Sequence, residues 1–130
     1  MSVRSERSDA DLYFSVHHNG GFPNASGGLT LYPSQQGNPS TQASFSESKE
    51  LSQMLGKAYT QAGMSYRGAY KDTEMTGGTL YVLRNTSSRA ILTEIGFISN
   101  TKDARKITSE AFQKTLSKGL AKQVYNFFYD

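Results

Sequence analysis

The run Ala90-Ile91-Leu92-Thr93-Glu94-Ile95-Gly96-Phe97 constrains the fold more than any other segment of this chain. It is far shorter than the ~20 apolar residues that cross a membrane. A short apolar run of this length reads as a strand buried on both faces. Such a strand lies within a sheet, with further layers covering it. Two positions break the apolar pattern, Thr93 and Glu94. Glu94 shares strand parity with Leu92, so its side chain starts on a buried or cleft face, where an ionised group needs a partner or a task.

The other segments supply what such a strand would pack against. Leu12, Phe14 and Val16 alternate with Tyr13 and Ser15, so residues 10–16 read as a strand, ending at the polar, glycine-rich loop His17-His18-Asn19-Gly20-Gly21. Gly28–Tyr32 is a second short strand closed by Pro33, and residues 33–44 have the composition of a surface loop. Ser44-Phe45-Ser46-Glu47 matches a capping box. Behind it Leu51, Met54, Leu55, Ala58, Tyr59 and Ala62 share one helix face, and Gly63 is placed to stop the helix. Residues 64–78 read as a polar connection and Thr79–Leu83 as a strand. Asn100-Thr101 caps a short helix through Ile107. Ser109 caps a last helix that aligns Phe112, Leu116, Leu120, Val124, Phe127 and Phe128. Helices interleaved with strands predict an α/β fold: a mixed or mostly parallel sheet flanked by helices. The 130 residues fit a single domain.

Composition narrows the chemistry. With no cysteine there is no disulfide, thiolate metal site or thiol nucleophile. A net charge of +3 permits weak attraction to an anionic polymer and specifies none. Lys102, Arg105 and Lys106, with Lys114, Lys118 and Lys122 four residues apart, read as solvated helix faces. No nucleic-acid recognition motif accompanies them, so no nucleic-acid partner is expected. The glycine pairs match no phosphate-binding pattern. Residues 1–6 contain no apolar core of a signal peptide, and no segment is long enough to span a membrane.

Two residues stand out as candidates for chemistry. His17 follows directly on a strand, where ligands collect in open α/β sheets, and a neutral imidazole there suits zinc. The plainer reading is a surface histidine in a turn. Its neighbour His18 points to the opposite side of an extended segment, so the two do not share one ion; His18 reads as a loop residue near the substrate. Glu94 suits a general base beside metal-bound water. Its plainer reading is a structural carboxylate paired with Arg84 or Arg89.

Three ordered motifs carry a family resemblance. They are Ala10-Asp11-Leu12-Tyr13-Phe14-Ser15-Val16-His17-His18-Asn19, then Leu80-Tyr81-Val82-Leu83-Arg84, then Ala90-Ile91-Leu92-Thr93-Glu94-Ile95-Gly96-Phe97-Ile98-Ser99-Asn100. Together they resemble the zinc-dependent N-acetylmuramoyl-L-alanine amidases, which cut between N-acetylmuramic acid and L-alanine in peptidoglycan. The resemblance implies that His17 is a zinc ligand and Glu94 the catalytic carboxylate. Zinc would polarise the carbonyl and acidify its water, and Glu94 would pass the water's proton to the leaving amine. It also implies loops at 33–44 and 63–79 flanking a groove, peptidoglycan as the partner, and a cell-wall, periplasmic or extracellular location.

The departures from the family are equally specific. The family opens with a strand bearing a His-x-Gly-His-Gly type motif whose first His is a ligand, and a Glu downstream is another. This chain begins shortly before the Ala-Asp-Leu strand and has only two histidines, which are adjacent. It therefore resembles the C-terminal, larger part of the domain, truncated at the N-terminus, with the other two ligands expected to be absent. A missing strand would leave apolar sheet edges open to a separate N-terminal segment or to self-association. Arg89 stands where the family commonly has Pro. Against a hydrolase stands a second reading: a non-catalytic peptidoglycan-binding or interaction module that keeps the scaffold.

Overall fold

The computed structural model describes residues 10–34, 45–86 and 88–130. The run singled out above is strand β4, Arg89–Phe97, with every residue buried except Arg89 and Glu94. It sits inside a four-stranded sheet in which β1 (Leu12–Asn19) flanks it on one side and β2 (Gly28–Tyr32) on the other, with β3 (Tyr66–Lys71) beyond β2. β1 runs parallel to β4, β2 antiparallel to it, and β3 parallel to β2, so the sheet is mixed.

One face of the sheet is covered by long helices. Helix α1 (Phe45–Gln61) contributes Leu51, Leu55, Ala58 and Tyr59 to a core with Ile91 and Ile95 of β4. The last helix, α5 (Glu110–Tyr129), adds Phe112, Leu116 and Leu120, and Ile107 comes from helix α4 (Thr101–Ile107). Side chains of this kind each contribute roughly 1.5–3 kcal/mol when fully buried, which makes this the face that holds the domain together. The opposite face carries a thinner layer. There Leu29, Leu31, Ala90 and Leu92 pack under Leu83, which comes from the one-turn helix α3 (Tyr81–Arg84). Helix α2 (Asp72–Thr76) precedes it.

Gly28 is required where the core is tightest. A Cβ there would lie 2.1 Å from Tyr59 Cε2 and 3.0 Å from the carbonyl oxygen of Glu94. Tyr59 occupies that space and donates its hydroxyl between the Glu94 and Leu29 carbonyls, at 3.2 and 3.3 Å.

Several expectations need correction. Residues 79–83 do not form a strand. The Leu80 N–H donates to Asp72 Oδ2 at 3.0 Å, and the Arg84 N–H donates back to the Leu80 carbonyl at 2.9 Å, so the segment closes into a helical turn. The fourth strand lies earlier, within the stretch read as a polar connection. Tyr66-Arg67-Gly68-Ala69-Tyr70-Lys71 contains no branched aliphatic residue and gives no strand signal by itself. It is held by pairing with β2 and by the Tyr66 hydroxyl, which bonds Thr30 Oγ1 at 2.7 Å and the Ser52 carbonyl at 3.1 Å. β1 also continues past Val16 through both histidines to Asn19. The Ser44 capping box and most of the 33–44 loop lie outside the described residues.

Candidate active site

Because β1 and β4 are parallel neighbours, their register decides what His17 meets, and its Cα partner is Glu94. Paired strands lie about 4.8 Å apart, so imidazole and carboxylate stand side by side on the thinly covered face, near the carboxyl ends of both strands. Directly after this pair the register slips: Asn19 meets Phe97, so β4 carries an extra residue. A bulge at such a place bends the strand and re-aims its side chains.

Glu94 is half-buried, and its Oε2 is shielded from solvent without a hydrogen-bond partner. Burial pushes its carboxyl above the ordinary range, and the neighbouring His17 draws it partly back. Neither arginine offered as a structural partner reaches it. Arg84 donates to Thr79 Oγ1 at 2.8 Å. Arg89 pairs with Glu47 at the start of α1, donates to the Asp11 carbonyl, and lies over the Phe128 ring at 5.2 Å. The arginine that departs from the family pattern thus joins the starts of β4 and α1 to the end of α5.

His17 is exposed, with its Nε2 hydrogen-bonded to Ser15 Oγ at 2.9 Å. Ser15 stands two residues back on the same side of β1, the position from which a strand neighbour can fix a ring. His18 points the other way. It lines a cavity of about 200 Å³ with Ile95, Leu116 and Leu120 on the helix-covered face, away from Glu94.

Beyond the pair, residues 20–27 are strapped to the end of β4 by Asp103, which carried no expectation from the sequence, and by Asn100, expected only as a helix cap. Asp103, 3% exposed, accepts the Phe97 N–H at 3.0 Å and the Gly27 N–H at 2.8 Å through Oδ2. Asn100 accepts the Asp103 N–H through Oδ1, capping α4, and donates its side-chain amide to the Pro23 carbonyl at 2.8 Å. Ile98 donates its N–H to the Asn19 carbonyl at 2.8 Å. The signal for this arrangement was the Asn100-to-Asp103 spacing, which sequence alone reads only as a helix cap. Among the described residues, no three His, Asp or Glu side chains gather as a metal site.

The pattern of a family model described as N-acetylmuramoyl-L-alanine amidase matches residues 2–126. The chain belongs to this family. An uncharacterized cell wall amidase of Bacillus anthracis is 27% identical over 127 residues, covering 95% of this chain and 22% of that protein. The N-acetylmuramoyl-L-alanine amidase of Clostridium difficile 630 superposes with a TM-score of 0.82 at 25% identity, over 98% of this chain and 62% of that one. The catalytic domain of CwlV, an N-acetylmuramoyl-L-alanine amidase of Bacillus (Paenibacillus) polymyxa, gives 0.77 at 25% identity, over 98% of this chain and 63% of that one. This amidase-family chain therefore spans about a fifth of the curated relative and about three-fifths of the two solved chains. The mixed α/β architecture is that of amidase catalytic domains.

Proposed function

We propose that the chain provides the acid–base part of a centre that hydrolyses the amide between N-acetylmuramic acid and L-alanine in peptidoglycan. The observation that carries this reading is the unpartnered, shielded Oε2 of Glu94 beside His17, at the strand ends of a chain belonging to the amidase family. Amide hydrolysis needs a proton taken from the attacking water and a proton given to the departing amine. A carboxyl whose affinity for protons is raised by burial can do both in turn. His17, steadied by Ser15, stands beside Glu94 on the same face of the sheet.

Zinc is the metal the family resemblance implies, and His17 is the residue of this chain that would hold it. Catalytic zinc takes three protein donors. With Glu94 reserved for protons, the described residues supply one, so they do not by themselves fit the ion. Peptidoglycan as substrate places the protein at the cell wall, in a periplasmic or extracellular setting. No helix among the described residues is long and apolar enough to cross a membrane.

The test is hydrolysis of purified peptidoglycan by the chain, with zinc binding followed by calorimetry and with Glu94→Gln and His17→Ala beside it. Glu94→Gln should lower hydrolysis by about 10²–10⁴-fold, the usual contribution of a positioned acid–base group. Undiminished hydrolysis by Glu94→Gln refutes the assignment. A folded chain that binds muropeptide without cutting it instead establishes the non-catalytic reading, which the single zinc donor favours.

A further inference from the structure

The sheet face that carries Glu94 also carries a basic group that the fold leaves free. Arg67 follows Tyr66 at the start of β3. Tyr66 points to the helix-covered face, where its hydroxyl meets Thr30 and the Ser52 carbonyl, so the next side chain along the strand projects to the other face. A second observation agrees. Asn19 shares parity with His17 and pairs with Phe97, which puts the Phe97 ring on the Glu94 face, and the Arg67 guanidinium lies over that ring at 5.7 Å.

Arg67 is exposed, and among the described residues its guanidinium has neither a carboxylate nor a hydrogen-bond partner. Arg84 and Arg89, by contrast, are engaged with Thr79 and Glu47. The position of Arg67 is nonetheless fixed. Phe97 beneath it is buried and anchored through its N–H to Asp103. Gly27 closes against its stem: a Cβ there would lie 3.2 Å from Arg67 Cγ. A stacked, pre-placed guanidinium loses little freedom on meeting an anion, and its donors match a carboxylate two at a time.

The spacing from the reacting pair indicates which carboxylate. β2 separates β4 from β3. Leu29 pairs with Glu94 and stands between the pairs Gly28–Tyr66 and Thr30–Ala69, opposite Arg67 and Gly68. Two strand spacings put the Arg67 backbone about 10 Å from that of Glu94. An extended peptide advances about 3.3–3.6 Å per residue, so a group on the second residue past the scissile amide lies about 7 Å from it. A carboxylate there, on a peptide running from Glu94 across β2, comes within reach of the Arg67 side chain.

We propose that Arg67 is a specificity-determining residue that receives a carboxylate on the second residue of the stem peptide. The inference rests on the hydrolytic reading, which sets Glu94 at the scissile amide, and adds the direction in which the peptide lies and the charge that is selected.

The probes are N-acetylmuramoyl-L-alanyl-D-glutamate and the same molecule with both glutamate carboxyls amidated. Calorimetry on the full chain, with metal chelated so that neither is cut, reads the two Kd values. The acid should bind roughly fivefold more tightly than the diamide, or better, between the effect of an exposed ion pair and that of a buried charge-assisted bond. The preference should shrink at high salt. Arg67→Gln should weaken the acid to the level of the diamide and leave the diamide unchanged. Arg67→Lys, which keeps the charge but not the planar fork, should retain part of the preference. The proposal is overturned if the native chain binds acid and diamide equally or binds neither, or if the acid preference survives Arg67→Gln. Equal weakening of both probes by Arg67→Gln also overturns it, because Arg67 then shapes the surface without reading charge. No readout here is hydrolysis, so Arg67 is judged by acid against amide and Glu94 by the loss of cutting in Glu94→Gln.

Discussion

Replacing Asp103 by alanine removes one carboxylate and strands two backbone amides, those of Gly27 and Phe97. Both residues are buried, so water does not readily substitute for the lost acceptor. A hydrogen bond to a charged group is worth about 1.5–3 kcal/mol, and a buried donor left unpaired costs a similar amount. For two amides sharing one oxygen we expect a loss of about 3–5 kcal/mol, a large part of the roughly 5–15 kcal/mol that holds a domain folded. Asp103→Asn keeps an acceptor oxygen in place without the charge and should lose only about 1–2 kcal/mol. Urea unfolding followed by circular dichroism checks both: the midpoint should fall in that order with the slope unchanged. Native-state hydrogen exchange adds position, since Gly27 and Phe97 should lose protection first. A loss under about 1 kcal/mol for the alanine variant, or equal losses for the two, refutes the view that Asp103 fastens residues 20–27 to the end of β4.

Two further outcomes follow from the packing around Glu94. Gly28→Ala forces a methyl into the Tyr59 ring and against the Glu94 carbonyl, and should cost about 3 kcal/mol by overpacking, read as a lowered urea midpoint. The raised Glu94 pKa means that the fold favours the protonated carboxyl. That stabilising contribution is complete below the pKa of the unfolded chain and is lost as pH rises through the folded one. With metal chelated, Glu94→Gln should therefore melt higher than the native chain at about pH 8, and the difference should vanish near pH 3, below the ordinary glutamate range. A variant that melts lower than the native chain at the higher pH would contradict it.

Much of the fold was legible because local pattern and tertiary role agree. The β4 run is apolar because it is covered on both faces, and the helical faces of α1 and α5 are the core-forming ones: Leu51, Leu55, Ala58 and Tyr59 with Phe112, Leu116 and Leu120. The exposed lysines of α5 are the solvated stripe read from their spacing. Prediction failed where local pattern and context diverge. Leu80-Tyr81-Val82-Leu83 has strand composition, but Asp72 captures the Leu80 amide and the segment turns. Tyr66–Lys71 lacks strand composition, but β2 supplies a template and Tyr66 an anchor.

At the candidate site the division is sharper. The sequence by itself determined the residue types that matter: a histidine late in an apolar strand, and a carboxylate inside a buried one, where charge is costly without a purpose. It also determined that the two histidines cannot share a face, because strand side chains alternate. Only the tertiary structure decided that His17 and Glu94 meet, because that depends on β1 and β4 being adjacent, parallel and in one particular register. Only it decided that Arg84 and Arg89 are engaged elsewhere, which leaves the Glu94 oxygen without a partner. The pairing of β1 with β4 joins residues as far apart as Ser15 and Thr93, 78 positions along the chain, as the Asp103 bond to Gly27 spans 76, and no local periodicity encodes which distant strand becomes a neighbour.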